Sequence, residues 1–146
     1  MAVAPDGSDL YVTETAEGAL ATISTATGQV LRTTPVGQEP WQVVVASDGT
    51  KLYVVNPDSD SVSVVDAATG QATHTIDVPG DPDTLGLTPD GSELWVAGNS
   101  SGVLNVIDTS TDALVGQTNL GGDGPNSGDG EDPTGIVLTS APTPTG

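Results

Sequence analysis

The stretch Asp48-Gly49-Thr50-Lys51-Leu52-Tyr53-Val54-Val55-Asn56 occurs in three versions along this 146-residue chain. The earlier version is Asp6-Gly7-Ser8-Asp9-Leu10-Tyr11-Val12-Thr13-Glu14, and the later one is Asp90-Gly91-Ser92-Glu93-Leu94-Trp95-Val96-Ala97-Gly98. Tyr11, Tyr53 and Trp95 follow one another at a spacing of 42 residues. A fixed period of this length marks a repeat architecture, in which each copy is one unit that buries its apolar face against the next.

Around the central copy the pattern resolves into four short strands. Trp41 to Ala46 is a β-branched run (strand A), and Ser47-Asp48-Gly49-Thr50 is a turn made of residues that turns require. Lys51 to Asn56 is strand B, followed by the polar turn Pro57-Asp58-Ser59-Asp60. Ser61 to Asp66 starts with a clean period of two and is strand C. The turn Asp66-Ala67-Ala68-Thr69-Gly70 leads to strand D, Gln71 to Val78, and Pro79-Gly80-Asp81-Pro82 closes the unit. Four antiparallel strands in a unit of this size make one propeller blade.

The other copies keep the physics where the letters change. Ser24 stands where Asp66 and Asp108 stand, and its hydroxyl is expected to cap the same turn more weakly. Asp112 replaces Gly28 and Gly70, and Asp is among the few residues other than Gly that tolerate the left-handed region. Leu20, Val62 and Leu104 are equivalent on strand C, as are Ile23, Val65 and Ile107; Val36, Val78 and Leu120 match on strand D.

These residues resemble the YVTN β-propeller repeats, a family named for a tetrapeptide on strand B. The matching segments are Tyr11-Val12-Thr13-Glu14, Tyr53-Val54-Val55-Asn56 and, more distantly, Trp95-Val96-Ala97-Gly98. Pro5-Asp6-Gly7 and Pro89-Asp90-Gly91 match the family's turn, and Val64 to Gly70 and Val106 to Thr109 match its Val-Ile-Asp-Thr-x-Thr-Gly segment. The resemblance covers residues 1 to about 139. It implies propeller blades and an extracytoplasmic setting, surface-layer proteins included, and it says little about chemistry.

The expected fold is therefore all-β, with about three blades of four antiparallel strands plus one extra inner strand, in a ring that is incomplete or completed by oligomerisation. Blade 1 takes residues 1–40 with its first strand truncated, blade 2 takes 41–82, and blade 3 takes 83–133 with an inserted loop at 121–132. Residues 134–139 read as the inner strand of a fourth blade, and 140–146 as a Pro/Thr-rich tail. Three blades cannot close a ring, since propellers need about four or more. A fragment of a longer propeller, two copies forming a six-bladed ring, and an open stack kept soluble by charge are the alternatives, with the fragment preferred.

Composition narrows the function classes. Twenty Asp and Glu against Arg32 and Lys51 give a net charge of −18, which disfavours binding to nucleic acid or to anionic membrane surfaces. Without cysteine there is no disulfide, thiolate metal site or cysteine nucleophile. No apolar run is long enough to span a bilayer, so no membrane insertion is expected, and Met1 to Asp6 lacks the features of a signal peptide.

Candidate chemistry is sparse. The 121–132 loop exceeds the period by nine residues, and Asp123, Asn126, Asp129 and Asp132 could offer oxygen ligands to Ca²⁺, though their spacing fits no EF-hand. His74, the single histidine, falls on a D strand level with Arg32 and Gly116, far from where a triad would need it. The pairs Asp58 with Asp60 and Asp81 with Asp83 lie in turns and read as solvated. Tyr11, Tyr53 and Trp95 share one repeat position, so packing between blades explains them better than a carbohydrate platform formed with Trp41. The expected function is a non-catalytic, extracytoplasmic scaffold that binds a protein or ligand through loops on one face, or itself through open blade faces. The alternative is a fragment of a propeller enzyme of the lactonase or lyase type, or the propeller subunit of a redox complex, with its reactive residues elsewhere.

Overall fold

The computed structural model describes residues 1–98 and 101–120. These form three four-stranded antiparallel sheets, each meandering in chain order. The first holds β1 (Ala2–Val3), β2 (Asp9–Glu14), β3 (Ala19–Ser24) and β4 (Val30–Pro35). The second holds β5 (Val43–Val45), β6 (Lys51–Asn56), β7 (Ser61–Asp66) and β8 (Ala72–Asp77). The third holds β9 (Pro82–Leu87), β10 (Glu93–Gly98), β11 (Val103–Asp108) and β12 (Ala113–Asn119). No α-helix occurs among the described residues.

The turns explain why the chain reverses where it does. At the first turn of each blade Asp6, Asp48 and Asp90 each use Oδ1 to accept from the backbone N–H and the hydroxyl of Ser8, Thr50 and Ser92, two residues on. Gly7, Gly49 and Gly91 follow with φ of 75°, 74° and 73°, a conformation that costs glycine nothing. At the turn between the third and fourth strands, Asp66 Oδ1 accepts from Thr69 N–H, and Asp108 Oδ1 accepts from Ser110 and Thr111 N–H. Asp112 takes φ of 51° where Gly28 and Gly70 take 70° and 67°. Ser24 makes no side-chain bond there. Thr25 donates to the Gly7 and Ser8 carbonyls, as Thr109 donates to those of Gly91 and Ser92.

The Pro57 turn takes a defined form, and two other details depart from expectation. The turn at Pro57 is a single 3₁₀ turn, Pro57–Ser59, closed by Asp60 in the left-handed region at φ of 45°. Its counterpart in the first sheet is Thr15–Glu17 with Gly18, so an aspartate again replaces a glycine. Strand A of the second sheet is shorter than expected, because Val55 opposes two residues: it accepts from Trp41 N–H and donates to the Gln42 carbonyl. Such a bulge interrupts the regular ladder. Trp95 is only partly buried, unlike Tyr11 and Tyr53: those tyrosines each lie under a following sheet, whereas no sheet follows the third among the described residues.

The core lies between the sheets. Tyr11 and Leu20 from the first sheet meet Val43, Leu52, Val54 and Val65 from the second. On the other face of the second sheet, Tyr53, Val55, Val62 and Val64 meet Leu85, Leu94, Val96 and Ile107 from the third. Alternate residues of β6 thus serve opposite junctions, as a period-two strand between two neighbours must. The expected loop at 121–132, the strand at 134–139 and the tail at 140–146 lie outside the described residues.

Candidate functional site

The junctions between sheets are where polar side chains converge. At the first junction Arg32 on β4 donates from Nη1 to the Ala68 carbonyl at 3.0 Å, and Thr34 donates from Oγ1 to the Gly70 carbonyl at 2.6 Å. Near the other end of this junction, Thr13 and Thr15 donate to the carbonyls of Trp41 and Pro40.

At the second junction the corresponding turn of the third sheet offers Asp112 instead of a glycine. Lys51 Nζ lies 2.7 Å from Asp112 Oδ2 and donates to the Thr109 carbonyl at 3.0 Å. The Tyr53 hydroxyl donates to Asp112 Oδ1 at 3.2 Å. His74 Nδ1 stands 3.9 Å from Asp112 Oδ2, and its side chain is largely exposed. The Asp112 side chain is only 6% exposed, so its partners matter: a buried carboxylate without them is costly. Burial and then the charge of Asp112 push the Tyr53 hydroxyl well above the ordinary tyrosine range. Further along, Gln42 Oε1 accepts from Thr84 Oγ1 and Leu85 N–H, and Asp60 Oδ1 accepts from Asp81 N–H.

Two grooves run along the junctions beside the first turns of the blades. The first, of 280 Å³, is lined by Asp6, Asp9, Tyr11 and Asp48 among others. The second, of 170 Å³, is lined by the equivalents Asp48, Lys51, Tyr53 and Asp90. Asp9 in the first stands where Lys51 stands in the second. Hydrogen bonds lower the carboxyls of Asp6 and Asp48, chiefly from the backbone N–H groups of Ser8 and Thr50. Asp90 is brought to about 2, first by the Thr88 hydroxyl and then by Ser92. These carboxylates stay ionised near neutral pH and serve the turns that hold them.

Of the residues singled out from sequence, His74 sits on β8 at the sheet edge, opposite Val64, as Arg32 sits opposite Thr22 and Gly116 opposite Val106. Trp41 is 65% exposed and lies apart from the buried rings of Tyr11 and Tyr53, so the four aromatics form no common platform. Asp123, Asn126, Asp129 and Asp132 lie outside the described residues. Among the described residues no three His, Asp or Glu side chains gather as metal ligands, and no helix is long and apolar enough to cross a membrane. The Lys51–Asp112 pair was missed, although both residues break the repeat at their positions. Asn56 was also missed: it is fully buried, and its Nδ2 donates to Ser63 Oγ at 3.0 Å.

No protein-family model matches the chain, and no curated protein sequence does. Solved structures do. A hydrazine synthase from Kuenenia stuttgartiensis superposes with a TM-score of 0.76 at 32% identity, over 80% of this chain and 34% of that one. The fold is a β-propeller. The WD40 repeats of RRP9 match with a TM-score of 0.73 at 18% identity over 84% of the chain, and U3-55K matches with 0.73 at 17% over 84%. At that identity the last two speak for the propeller fold alone. The chain covers 38% and 39% of these two structures, so it corresponds to only part of each matched propeller.

Proposed function

We propose that this chain is a non-catalytic propeller scaffold of the YVTN type, working outside the cytoplasm and binding a partner through its loops. The supporting observation is where the ionisable groups converge. Lys51, Tyr53, His74 and Asp112 meet at a sheet junction, and the low-pKa carboxylates cap turns. Lys51 and Tyr53 bond Asp112 across the junction, and the capping carboxylates serve their own turns. The interaction role typical of WD40 repeats points the same way, and the net charge of −18 favours a partner bearing positive charge. Capture on the immobilised chain tests this. A specific partner should be released by about 0.5 M salt, where the Debye length falls to about 4 Å, and its binding should weaken in a Glu39→Gln/Asp58→Asn variant at one loop face. Retention unchanged by salt and by both substitutions would count against it. Export is tested by fractionating cells that express the native gene.

A second reading has a specific observation behind it. The likeness to a hydrazine synthase at 32% identity favours a propeller part of a larger enzyme. Co-purification of a catalytic subunit would support that reading, whereas a partner without activity would support the scaffold.

A further inference from the structure

We infer that the 280 Å³ groove between the first two sheets binds a primary ammonium group, with the Tyr11 hydroxyl and the Asp9 carboxylate accepting from it. Both walls of this groove belong to described, adjacent sheets, and neither outer face of the stack contributes to it.

The second junction shows what such a groove takes. There Lys51 brings its ammonium to Asp112 Oδ2 at 2.7 Å and to the Thr109 carbonyl at 3.0 Å, and the Tyr53 hydroxyl donates to Asp112 Oδ1. One repeat earlier the places of Lys51, Tyr53, Asp112 and Thr109 are held by Asp9, Tyr11, Gly70 and Ala67. The chain's own cation is replaced by a carboxylate, and the carboxylate that received it by a glycine. A tyrosine hydroxyl and a turn carbonyl keep their places in the repeat.

Two of these groups have no partner among the described residues. Tyr11 is 3% exposed and lines the groove, yet its hydroxyl makes no hydrogen bond there. Burial and then the charge of Asp9 hold that hydroxyl above the ordinary tyrosine range, so it stays protonated and offers its oxygen as an acceptor. A buried polar group without a partner carries a cost that a bound ligand removes. The Asp9 carboxylate likewise makes no hydrogen bond or ion pair among the described residues. Asp6 and Asp48, also in the lining, use Oδ1 for their turns and add negative charge. Of the two basic residues, Lys51 is held at the second junction, and Arg32 donates to the Ala68 carbonyl and pairs with no described carboxylate.

An ammonium suits this groove better than a metal ion. Among the described residues no three His, Asp or Glu side chains gather as metal ligands, so the carboxylates border the groove without converging on one ion. Calcium takes about six to eight oxygens at close range, whereas an ammonium has three N–H groups to place. Ala4, Pro5 and Ala68 add apolar wall, against which a methylene stem can lie. The volume falls just below the range of about 300–1,000 Å³ usual for small-molecule sites, so the stem is short: a small alkylamine or a single lysine side chain. A free amine would bind whether or not a protein partner exists. Failure to capture a partner therefore leaves this site untouched, and failure here leaves the scaffold reading untouched.

The experiment is an amide NMR titration of the whole 146-residue chain with butylamine and with an N-terminally capped lysine tripeptide, at about 0.15 M salt, where surface charge is screened beyond about 8 Å. Both should shift amides of the groove, those of Gly49 and Ala68 among them, and tetramethylammonium, which has no N–H to donate, should not. Asp9→Asn should weaken binding about tenfold or more and Tyr11→Phe about threefold or more. Asp58→Asn, which removes the same charge at the opposite end of β6, should bind like the parent. Circular dichroism melts establish that each variant folds. Tighter binding of the tripeptide assigns the site to a protein's lysine, and tighter binding of butylamine to a free amine; either bears out the ammonium site. No shift, equal shifts with tetramethylammonium, equal weakening in Asp58→Asn, or calcium binding more tightly than butylamine at the same amides would overturn the inference. Binding that appears only in Arg32→Gln would also overturn it, since the guanidinium would then be the groove's own cation.

Discussion

Asp112 shows how one substitution in a repeat acquires a task. Its backbone sits at φ of 51°, where an L-residue other than Gly is strained by about 1 kcal/mol, and its carboxylate joins Lys51 to Tyr53 across a junction. Removing Lys51 leaves that buried carboxylate with less compensation, so Lys51→Met should destabilise by about 1–3 kcal/mol in urea unfolding. Asp112→Gly loses the same pair but relieves the backbone, so it should cost less than Lys51→Met. The double variant should cost little more than Asp112→Gly alone; simple additivity would mean that the pair contributes nothing. Gly98 is a second sensitive residue, for steric reasons. A Cβ there would lie 1.7 Å from the Gly80 carbonyl oxygen, which is backbone and cannot swing aside. Gly98→Ala should therefore lower the melting temperature more than Gly28→Ala, where a Cβ meets nothing within 4 Å and only the positive φ opposes it.

At the scale of the strand, the second strands of the blades present an internal comparison. Leu10, Leu52 and Leu94 occupy one repeat position on β2, β6 and β10. Leu52 and Leu94 are 1% and 0% exposed, whereas Leu10 is only half-buried on an outer face. Truncation of a buried leucine costs about 2–5 kcal/mol, the transfer free energy plus the cavity left behind. Leu52→Ala and Leu94→Ala should fall in that range, and Leu10→Ala should cost about 1 kcal/mol. Chemical denaturation checks this.

For the whole molecule, pH acts from both sides. The folded carboxyls of Asp6, Asp48, Asp66, Asp90 and Asp108 lie below their ordinary value of 3.8 because turn N–H and hydroxyl groups bond the ionised form. A folded value below the unfolded one adds stability above about pH 4, lost as pH falls toward 2, where Asp90 titrates. Tyr11 and Tyr53 lie above their ordinary value of 10.0, chiefly through burial. A raised folded value adds stability that is intact below pH 10 and is lost as pH climbs past it. Urea midpoints should be flat between these limits and fall on both sides. Asp90→Asn should soften the acid limb, and Tyr53→Phe the alkaline one.

The 42-residue period by itself determined the four-stranded unit, its turns and the equivalence of positions. Local chemistry carries that information: Asp-Gly at turns, β-branched alternation on strands, and the left-handed tolerance of Asp112 are all legible without neighbours. Tertiary structure decided what joins one unit to the next. Lys51 and Asp112 lie 61 residues apart, and only the stacking of sheets brings an ammonium to that carboxylate. The partial exposure of Trp95, at a position where Tyr11 and Tyr53 are buried, likewise depends on which face a following sheet covers. A repeat fixes which residues face a junction, whereas partners across it are chosen by three-dimensional register between units whose sequences differ.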